Sequence, residues 1–358
     1  MSSNLFKLIA RAYDPTSPQQ STSMEELSDL RTRRPIPVMK ALLPVVLSKK
    51  STHDRFIALI VCKSCIPPLT PDGSEKFSKI GLEPFWEVAA KLFTLFDDSE
   101  SLISRQAASM VSTITSHFLF IEEGEDILNQ IIGFFGEDHS SSFIECLTAV
   151  LCEIFQKFSF SPDFIMEALQ YSYQTATNSQ ASYETRKGCV DLLRALVPNL
   201  ADLLSENEAA TFILSIIANL VTMPEIKGSA FLCLSELVDR YYPVLVFLPA
   251  EAYVDSLNVL ESYSNPQDII FVCAFWESVA SCECDKHAEL KLTSTNFERL
   301  FQLLFKVASS ANDRNCSDDE AFEPFIAAFT ALDAIIKCCG VNAKEFLMQN
   351  VLDALKSE

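Results

Sequence analysis

Glycine is scarce in this chain of 358 residues, which contains only 8 of them. No Asn-Gly or Asp-Gly pair joins two alternating apolar runs, the pattern that predicts a β-hairpin, and Asp72-Gly73 is expected in a loop. Hydrophobic residues nevertheless make up 49% of the chain, and Phe alone occurs 27 times. Because strand-ending turns are rare while apolar segments are frequent, the chain is predicted to be mostly α-helical.

Basic residues are also few, since 28 Lys and Arg stand against 48 Asp and Glu and give a net charge of −20. A surface of this sign repels phosphate backbones and anionic lipid headgroups, so neither nucleic acid nor a membrane surface is an expected partner. Basic protein partners are favoured instead, and their attraction should weaken as salt is added.

Long apolar runs are missing as well. No uninterrupted run approaches the roughly 18 residues that span a bilayer, and the apolar patch at the N-terminus, Leu5 to Ala10, is too short and interrupted for a secretory signal. The twelve cysteines lie mostly inside apolar segments. We therefore expect reduced thiols that fill the core of a soluble intracellular protein, without membrane insertion.

Catalytic and metal-binding motifs are not visible. The chain has no HExxH, GxSxG or GxxxxGK[ST] motif, and its four histidines are scattered. Cys62 and Cys65 form a CxxC without a second pair at suitable spacing, so core packing is favoured over zinc or redox chemistry. Cys282, Cys284 and His287 cluster near a helix end without an evident fourth ligand. We predict a protein that is not an enzyme and carries no cofactor, with a metal at the Cys282 cluster as the alternative.

A repeat is the informative feature of the chain. Six segments share an apolar pattern, anchored at a small or leading apolar residue, in which positions seven apart lie on one face of a helix. Their anchor residues are Ala107, Leu147, Cys189, Ala230, Cys273 and Ala328. Successive anchors are 40, 42, 41, 43 and 55 residues apart. Each segment follows another apolar helical segment, from PFWEVAAKLFTLF to NFERLFQLLFKV.

Two helices in each repeat of roughly 40 residues are typical of HEAT and armadillo arrays, in which stacking buries faces that one pair cannot bury alone. We predict an all-α fold, a HEAT-repeat (armadillo-like) α-solenoid superhelix. Residues 1–358 are expected to form a single array of about seven to eight repeats, with the chain ending inside a repeat.

The long last step predicts a loop that has grown within one repeat, at residues 311–323. This acidic loop contains Phe322 and five acids, Asp313, Asp318, Asp319, Glu320 and Glu323. Loop growth costs little conformational free energy, and such insertions often carry function. The loop is therefore a candidate site for a basic partner.

A second candidate site lies on the first helices of two neighbouring repeats. Ile165, Met166 and Leu169 follow an i, i+1, i+4 pattern, and Phe212 and Ile213 begin the next repeat's first helix. Periodicity alone leaves open whether these residues fill the core or border an exposed groove.

Several segments resemble the N-terminal half of the importin-β (karyopherin-β) family of nuclear transport receptors. Tyr241-Tyr242 ends one helix as the family's paired tyrosines do, and Phe275-Trp276-Glu277 is similar to its Phe-Trp pair. The order of acidic loop, aromatic residue, Pro324 and Cys338-Cys339 also agrees, as does the opening NLFKLIARAYDPTSPQQ. The family's loop is more densely acidic and is followed by Trp, where this chain has Phe322.

The resemblance implies a receptor found in cytoplasm, nucleus and nuclear pore. It implies that the acidic loop contacts Ran-GTP and that Ile165, Met166, Leu169, Phe212 and Ile213 form a pocket for Phe-Gly nucleoporins. Cargo would be a basic import protein or an importin-α-like adaptor. The alternative is a HEAT scaffold of another kind, such as a phosphatase-type regulatory subunit without catalytic activity.

Overall fold

The computed structural model describes residues 2–121, 124–137, 139–262, 265–284, 290–309, 323–340 and 343–348. Every regular element in these ranges is a helix, and none of these residues lies in a strand. The all-α prediction is therefore confirmed. The chain divides into two compact units, residues 1–158 and 159–358. One array across both units stays a prediction.

The first unit has nine α-helices among its described residues. They are α1 (Ser2–Ala12), α2 (Gln20–Arg33), α3 (Pro35–Val46), α4 (Thr52–Lys63), α5 (Pro71–Ile80), α6 (Leu82–Leu92), α7 (Ser101–Phe120), α8 (Glu125–Gly133) and α9 (Ser141–Lys157). Short 3-10 turns extend α6 to Leu95 and α8 to Gly136.

The second unit continues this numbering within its own described residues. Its helices are α10 (Pro162–Thr177), α11 (Tyr183–Leu196), α12 (Ala201–Leu204), α13 (Asn207–Val221), α14 (Lys227–Tyr241), α15 (Ala250–Ser262), α16 (Pro266–Cys284), α17 (Leu292–Thr295), α18 (Phe297–Ser309), α19 (Glu323–Cys339) and α20 (343–348).

The longer helices form pairs that stack on one another. In the first unit α1 packs on α2, α3 on α4 and α6 on α7, while the second helices α4, α7 and α9 pack side by side. In the second unit the pairs are α10 with α11, α13 with α14, α15 with α16 and α18 with α19. There the second helices α11, α14, α16 and α19 form one layer, and the first helices α10, α13, α15 and α18 form the other. Two layers of paired helices are the arrangement of HEAT repeats.

Serine caps the N-terminus of four helices in the same way. Each side-chain oxygen accepts a hydrogen bond from the backbone N–H three residues later, at 3.1–3.3 Å. The capping residues are Ser51, Ser140, Ser161 and Ser182. These caps satisfy N–H groups that have no partner inside the helix, so the starts of these four helices are fixed by local chemistry.

Arg55 joins two repeats of the first unit. It is the fourth residue of α4, and its Nε donates to the carbonyl of Val46, the last residue of α3, at 2.9 Å. Its two terminal nitrogens bind both carboxylate oxygens of Asp98, which precedes α7. The side chains of Arg55 and Asp98 are only 9% and 12% exposed. One guanidinium thus closes its own pair and fixes the next pair to it.

Arg186 repeats this arrangement in the second unit. It is the fourth residue of α11, donates through Nε to the carbonyl of Ala176 near the end of α10 at 2.9 Å, and pairs with Glu225, which precedes α14. Tyr241, the last residue of α14, and Tyr242, which follows it, link neighbouring repeats in opposite directions. Tyr241 Oη donates to the carbonyl of Pro198, and Tyr242 Oη donates to Glu283 at 2.8 Å.

The core of the second unit is densest around α16. Phe275 and Trp276 are fully buried, and Trp276 Nε1 donates to Ser256 Oγ of α15 at 3.0 Å. The buried indole therefore has a partner for its single donor, as burial of a polar group requires. Ser235 and Ser278 share a hydrogen bond of 2.9 Å between α14 and α16.

The expected loop at Asp72-Gly73 is wrong, because both residues lie in α5. Thr70 caps this helix by accepting from Gly73 N–H at 3.1 Å, and Pro71 occupies its first turn, where proline is tolerated. Gly73 is required by space, since a Cβ there would come within 1.9 Å of the Pro68 carbonyl oxygen. The Asp-Gly pair therefore marks a close backbone approach.

Candidate partner-binding surfaces

The residues predicted to form the aromatic pocket lie on α10 and α13, and these two first helices pack against each other. Ile165, Leu169 and Ile213 are buried, with exposures of 0%, 2% and 1%. Met166 is half-buried, and Phe212 is 40% exposed. The structure therefore separates the five residues into three that fill the core and two that line the surface.

A polar link marks the other end of the same helices. Asn219 Nδ2 of α13 donates to Tyr173 Oη of α10 at 2.6 Å, and this bond is exposed. This pair could not be predicted from the sequence. Neither residue belongs to the apolar pattern, and only their separation of 46 residues, close to one repeat, connects them.

The following first helices of the second unit also expose large apolar side chains. Val254 of α15 is 50% exposed and Phe305 of α18 is 54% exposed. Phe305 stacks on Phe301 with ring centroids 5.9 Å apart. With Phe212, these residues give three successive first helices an apolar contact point at the surface.

The acidic loop falls outside the described residues, as do Asp313, Asp318, Asp319, Glu320 and Phe322. Glu323 is the first residue of α19, but its side chain is outside the description too. The helices on either side end at Ser309 and begin at Glu323. The stretch thus joins the two helices of one pair.

Carboxylates on the second helices of the second unit carry shifted pKa values. Burial raises the pKa of Asp191 on α11, although Arg194 and Lys187 nearby oppose the shift. Burial and then the charge of Asp239 raise the pKa of Glu277 on α16. Near Glu277 a positive charge would relieve both the desolvation of that half-buried carboxylate and its repulsion by Asp239, so this point of the surface favours a cationic partner.

The structure describes the cysteines of both motifs. Cys62 and Cys65 are buried, Cys65 Sγ donates to the Val61 carbonyl, and burial raises the pKa of Cys65 to about 12. Cys282 Sγ lies 3.6 Å from the carbonyl of Val238, and Cys284 is exposed. His287 lies outside the described residues. Among the residues that are described, no three His, Cys, Asp or Glu side chains are grouped to hold a metal ion.

Stacked helix pairs, joined by side-chain bonds between residues about one repeat apart, define a HEAT-repeat α-solenoid. No helix in the described part of the chain is long and apolar enough to cross a membrane. No protein-family model matches the chain, and neither does any curated protein sequence.

Within this class the chain shares the fold of importin-β. The structure of yeast importin-β (Kap95p) matches with a TM-score of 0.76 and 13% identity over 98% of this chain and 43% of that one. Kap95p in a study of its binding to RanGDP gives 0.75 and 14% over the same shares. The Kap95–Nup1 complex gives 0.74 and 14%, covering 98% of this chain and 44% of that one.

The chain therefore spans less than half the length of these structures. The likeness to them confirms the HEAT-solenoid prediction. At this level of identity the likeness concerns the fold. The resemblance to importin-β noticed in the sequence is confirmed at that level.

Proposed function

We propose that this chain acts as an importin-β-type nuclear transport receptor that binds Ran-GTP and Phe-Gly nucleoporins. It would carry basic cargo into the nucleus directly or through an importin-α-like adaptor, moving between cytoplasm and nucleus. The observation that supports the proposal is the importin-β fold over 98% of the chain. The importin-β structures that share this fold include one studied with RanGDP and one in complex with Nup1.

Two surfaces of the chain fit these partners chemically. The acidic loop between α18 and α19 and the neighbouring acids of α14 and α16, Asp239 and Glu277, suit a basic protein surface. On α10 and α13 the half-buried Met166 and the 40% exposed Phe212 are accessible at the surface to an aromatic ring. A small apolar contact of this kind releases its ligand quickly, as passage through many brief contacts requires.

The proposal is tested by measuring how tightly the purified chain binds Ran loaded with GTP and with GDP. GTP-loaded Ran should bind much more tightly. Replacing Asp318, Asp319 and Glu320 with Ala should weaken that complex about tenfold and flatten its salt dependence, because the removed charges act through the loop.

A matched control removes three exposed acids elsewhere in the second unit, Asp202, Glu206 and Glu208. This variant has the same net charge as the loop variant and should bind Ran like the parent chain. Equal binding of both nucleotide states, or no binding, would contradict the proposal. Either result would favour the alternative of a HEAT scaffold in another complex.

A further inference from the structure

Charge is distributed unevenly along the chain. Residues 31–79 contain ten Lys and Arg against three Asp and Glu, although the whole chain has a net charge of −20. This basic segment covers the end of α2, all of α3 and α4, and most of α5. This positive region attracts acidic partners, whereas the rest of the strongly acidic surface attracts basic ones.

Part of this segment forms a groove of about 440 Å³, which we call the basic groove. Arg31 comes from the end of α2, and Lys76 and Lys79 come from α5. Between them the link from α4 to α5 contributes an apolar wall that includes Pro67 and Pro68. The lining of the groove therefore combines cationic side chains with an apolar surface.

The positive charge of the basic groove is largely uncompensated. Arg31 Nη1 donates to Ser64 Oγ at 2.6 Å, and Arg31 forms no ion pair with a carboxylate in the part of the chain that the structure describes. Lys79 pairs with Glu75 of the same helix, but both side chains are more than 60% exposed, so the pair is weak. Lys76 has no carboxylate partner among the described residues.

The wall of the basic groove is fixed from behind by His117 of α7. His117 is fully buried and its ring stacks on Phe77. Its Nε2 lies 2.8 Å from the Pro67 carbonyl oxygen, and its Nδ1 lies 3.1 Å from Ser74 Oγ. A carbonyl only accepts, so Nε2–H donates to Pro67, and burial lowers the pKa of His117.

Gly73 contributes to the same rigidity through its close approach to the Pro68 carbonyl. The wall therefore has little conformational freedom. Its two consecutive prolines have restricted φ angles, His117 is hydrogen-bonded to the Pro67 carbonyl, and Gly73 packs closely against the Pro68 carbonyl. A groove formed before binding loses less conformational entropy when a ligand enters.

We propose that the basic groove binds a short acidic peptide segment of a partner protein. Carboxylates of the segment would contact Arg31 and Lys76, and an aliphatic side chain would lie on Pro67 and Pro68. The proposal is independent of Ran and nucleoporin binding, because it concerns different residues and the opposite charge.

Nucleic acid is the less suitable ligand for two reasons. An extended polyanion would run beyond the groove onto a protein of net charge −20, and its phosphates would be repelled there. The residues that line the groove include no aromatic ring on which a base could stack. A peptide presents a few carboxylates within one groove length and avoids both costs.

The test is fluorescence anisotropy with a short fluorescein-labelled peptide in which Glu and Leu alternate. Substituting Lys76→Ala together with Lys79→Ala should weaken binding about tenfold or more, because charge-assisted hydrogen bonds are lost. The control variant, Lys49→Ala with Lys50→Ala, removes the same charge from exposed positions of the basic segment outside the groove and should change binding by less than about twofold.

Two further measurements make the result decisive. A peptide with Gln in place of Glu should not bind, and both double variants should keep the parent's melting temperature, since the four lysines are exposed. Absence of peptide binding by the parent chain overturns the proposal. So do equal losses in the two double variants, or competition by single-stranded DNA or anionic lipid vesicles as strong as by unlabelled peptide.

Discussion

Arg55 and Arg186 occupy the same position of their helix pairs but differ in the surroundings of their partners. Asp98, the partner of Arg55, is 12% exposed, whereas Glu225, the partner of Arg186, is 61% exposed. Burial alone would raise the pKa of Asp98, but hydrogen bonds from Arg55 and from the Glu100 N–H outweigh it and lower the pKa. The Asp98 carboxylate is therefore charged and dependent on its guanidinium.

Replacing each arginine with Met should therefore lower the free energy of unfolding by different amounts in the two units. Arg55→Met leaves Asp98 charged and buried, so it should lower the free energy of unfolding of the first unit by about 3 kcal/mol. Arg186→Met leaves Glu225 in solvent and should cost the second unit about 1 kcal/mol, mainly through the lost bond to Ala176.

Urea unfolding followed by tryptophan fluorescence can measure both losses, because the two tryptophans lie in different units. Trp86 reports on the first unit once Trp276 is replaced by Phe, and Trp276 reports on the second once Trp86 is replaced. Equal losses for Arg55→Met and Arg186→Met would show that partner burial does not control the stability of these links.

At the scale of the helices, the predicted aromatic pocket lies on α10 and α13. Ile165 and Leu169 are four residues apart and share the buried face of α10. A charge placed on either would disturb the core and would not report on binding alone. Phe212 is the member of the predicted pocket with the largest exposure, so it is the better probe.

Phe212→Ser should reduce retention of the chain on a Phe-Gly peptide column severalfold while leaving the helical circular dichroism unchanged. Because its ring is 40% exposed, truncation should remove a contact with the ligand while removing only part of the packing inside the protein. Phe120→Ser in α7 is the matched control, because that ring is 43% exposed on a helix of the other unit.

The result contradicts the pocket proposal if Phe212→Ser is retained like the parent chain. Equal loss in the two variants would point to general hydrophobic adsorption instead. Loss of helical signal in Phe212→Ser would show that the ring supports folding, which its exposure argues against.

Helix pairs could be predicted from the sequence because stacking imposes a repeated apolar pattern on them. The helices α5, α12 and α17 escaped prediction, since each is short or rich in polar residues and breakers and carries too little periodicity. The split of the pocket into core and surface residues also escaped. An i, i+1, i+4 pattern spans more than one face, and only the packed neighbours decide which face is covered.

The polar links between repeats were the least predictable features. Arg55, Arg186 and His117 are isolated residues whose partners lie 39–50 residues away, and no local pattern marks them. They become recognisable only when the repeat length is used to align residues of neighbouring pairs.

For the chain as a whole, electrostatic repulsion is the dominant long-range effect. A net charge of −20 on 358 residues opposes the compact state, and most ion pairs in the described residues are exposed and compensate little of it. Because the basic segment at 31–79 carries an excess of positive charge, the negative charge of the other residues is larger than the net charge of the chain.

Raising NaCl from about 0.01 M to about 0.15 M should therefore stabilise the chain, because the screening length falls from about 30 Å to about 8 Å. We expect the melting temperature to rise by about 2–4 °C, the shift that corresponds to about 1 kcal/mol. Choline chloride at the same concentrations should give the same rise, since screening does not depend on the cation. A melting temperature that falls with salt would mean that attractive ion pairs outweigh the repulsion.

The arginine links described for each unit have a mechanical consequence. Each link joins a helix pair only to its immediate neighbour, so the pairs of a unit act as springs connected in series. A pull on such a series is shared among its members, and each joint rotates by a small angle while its hydrogen bonds stay closed. A unit built in this way would spread a deformation over many contacts, so that no single contact would have to break.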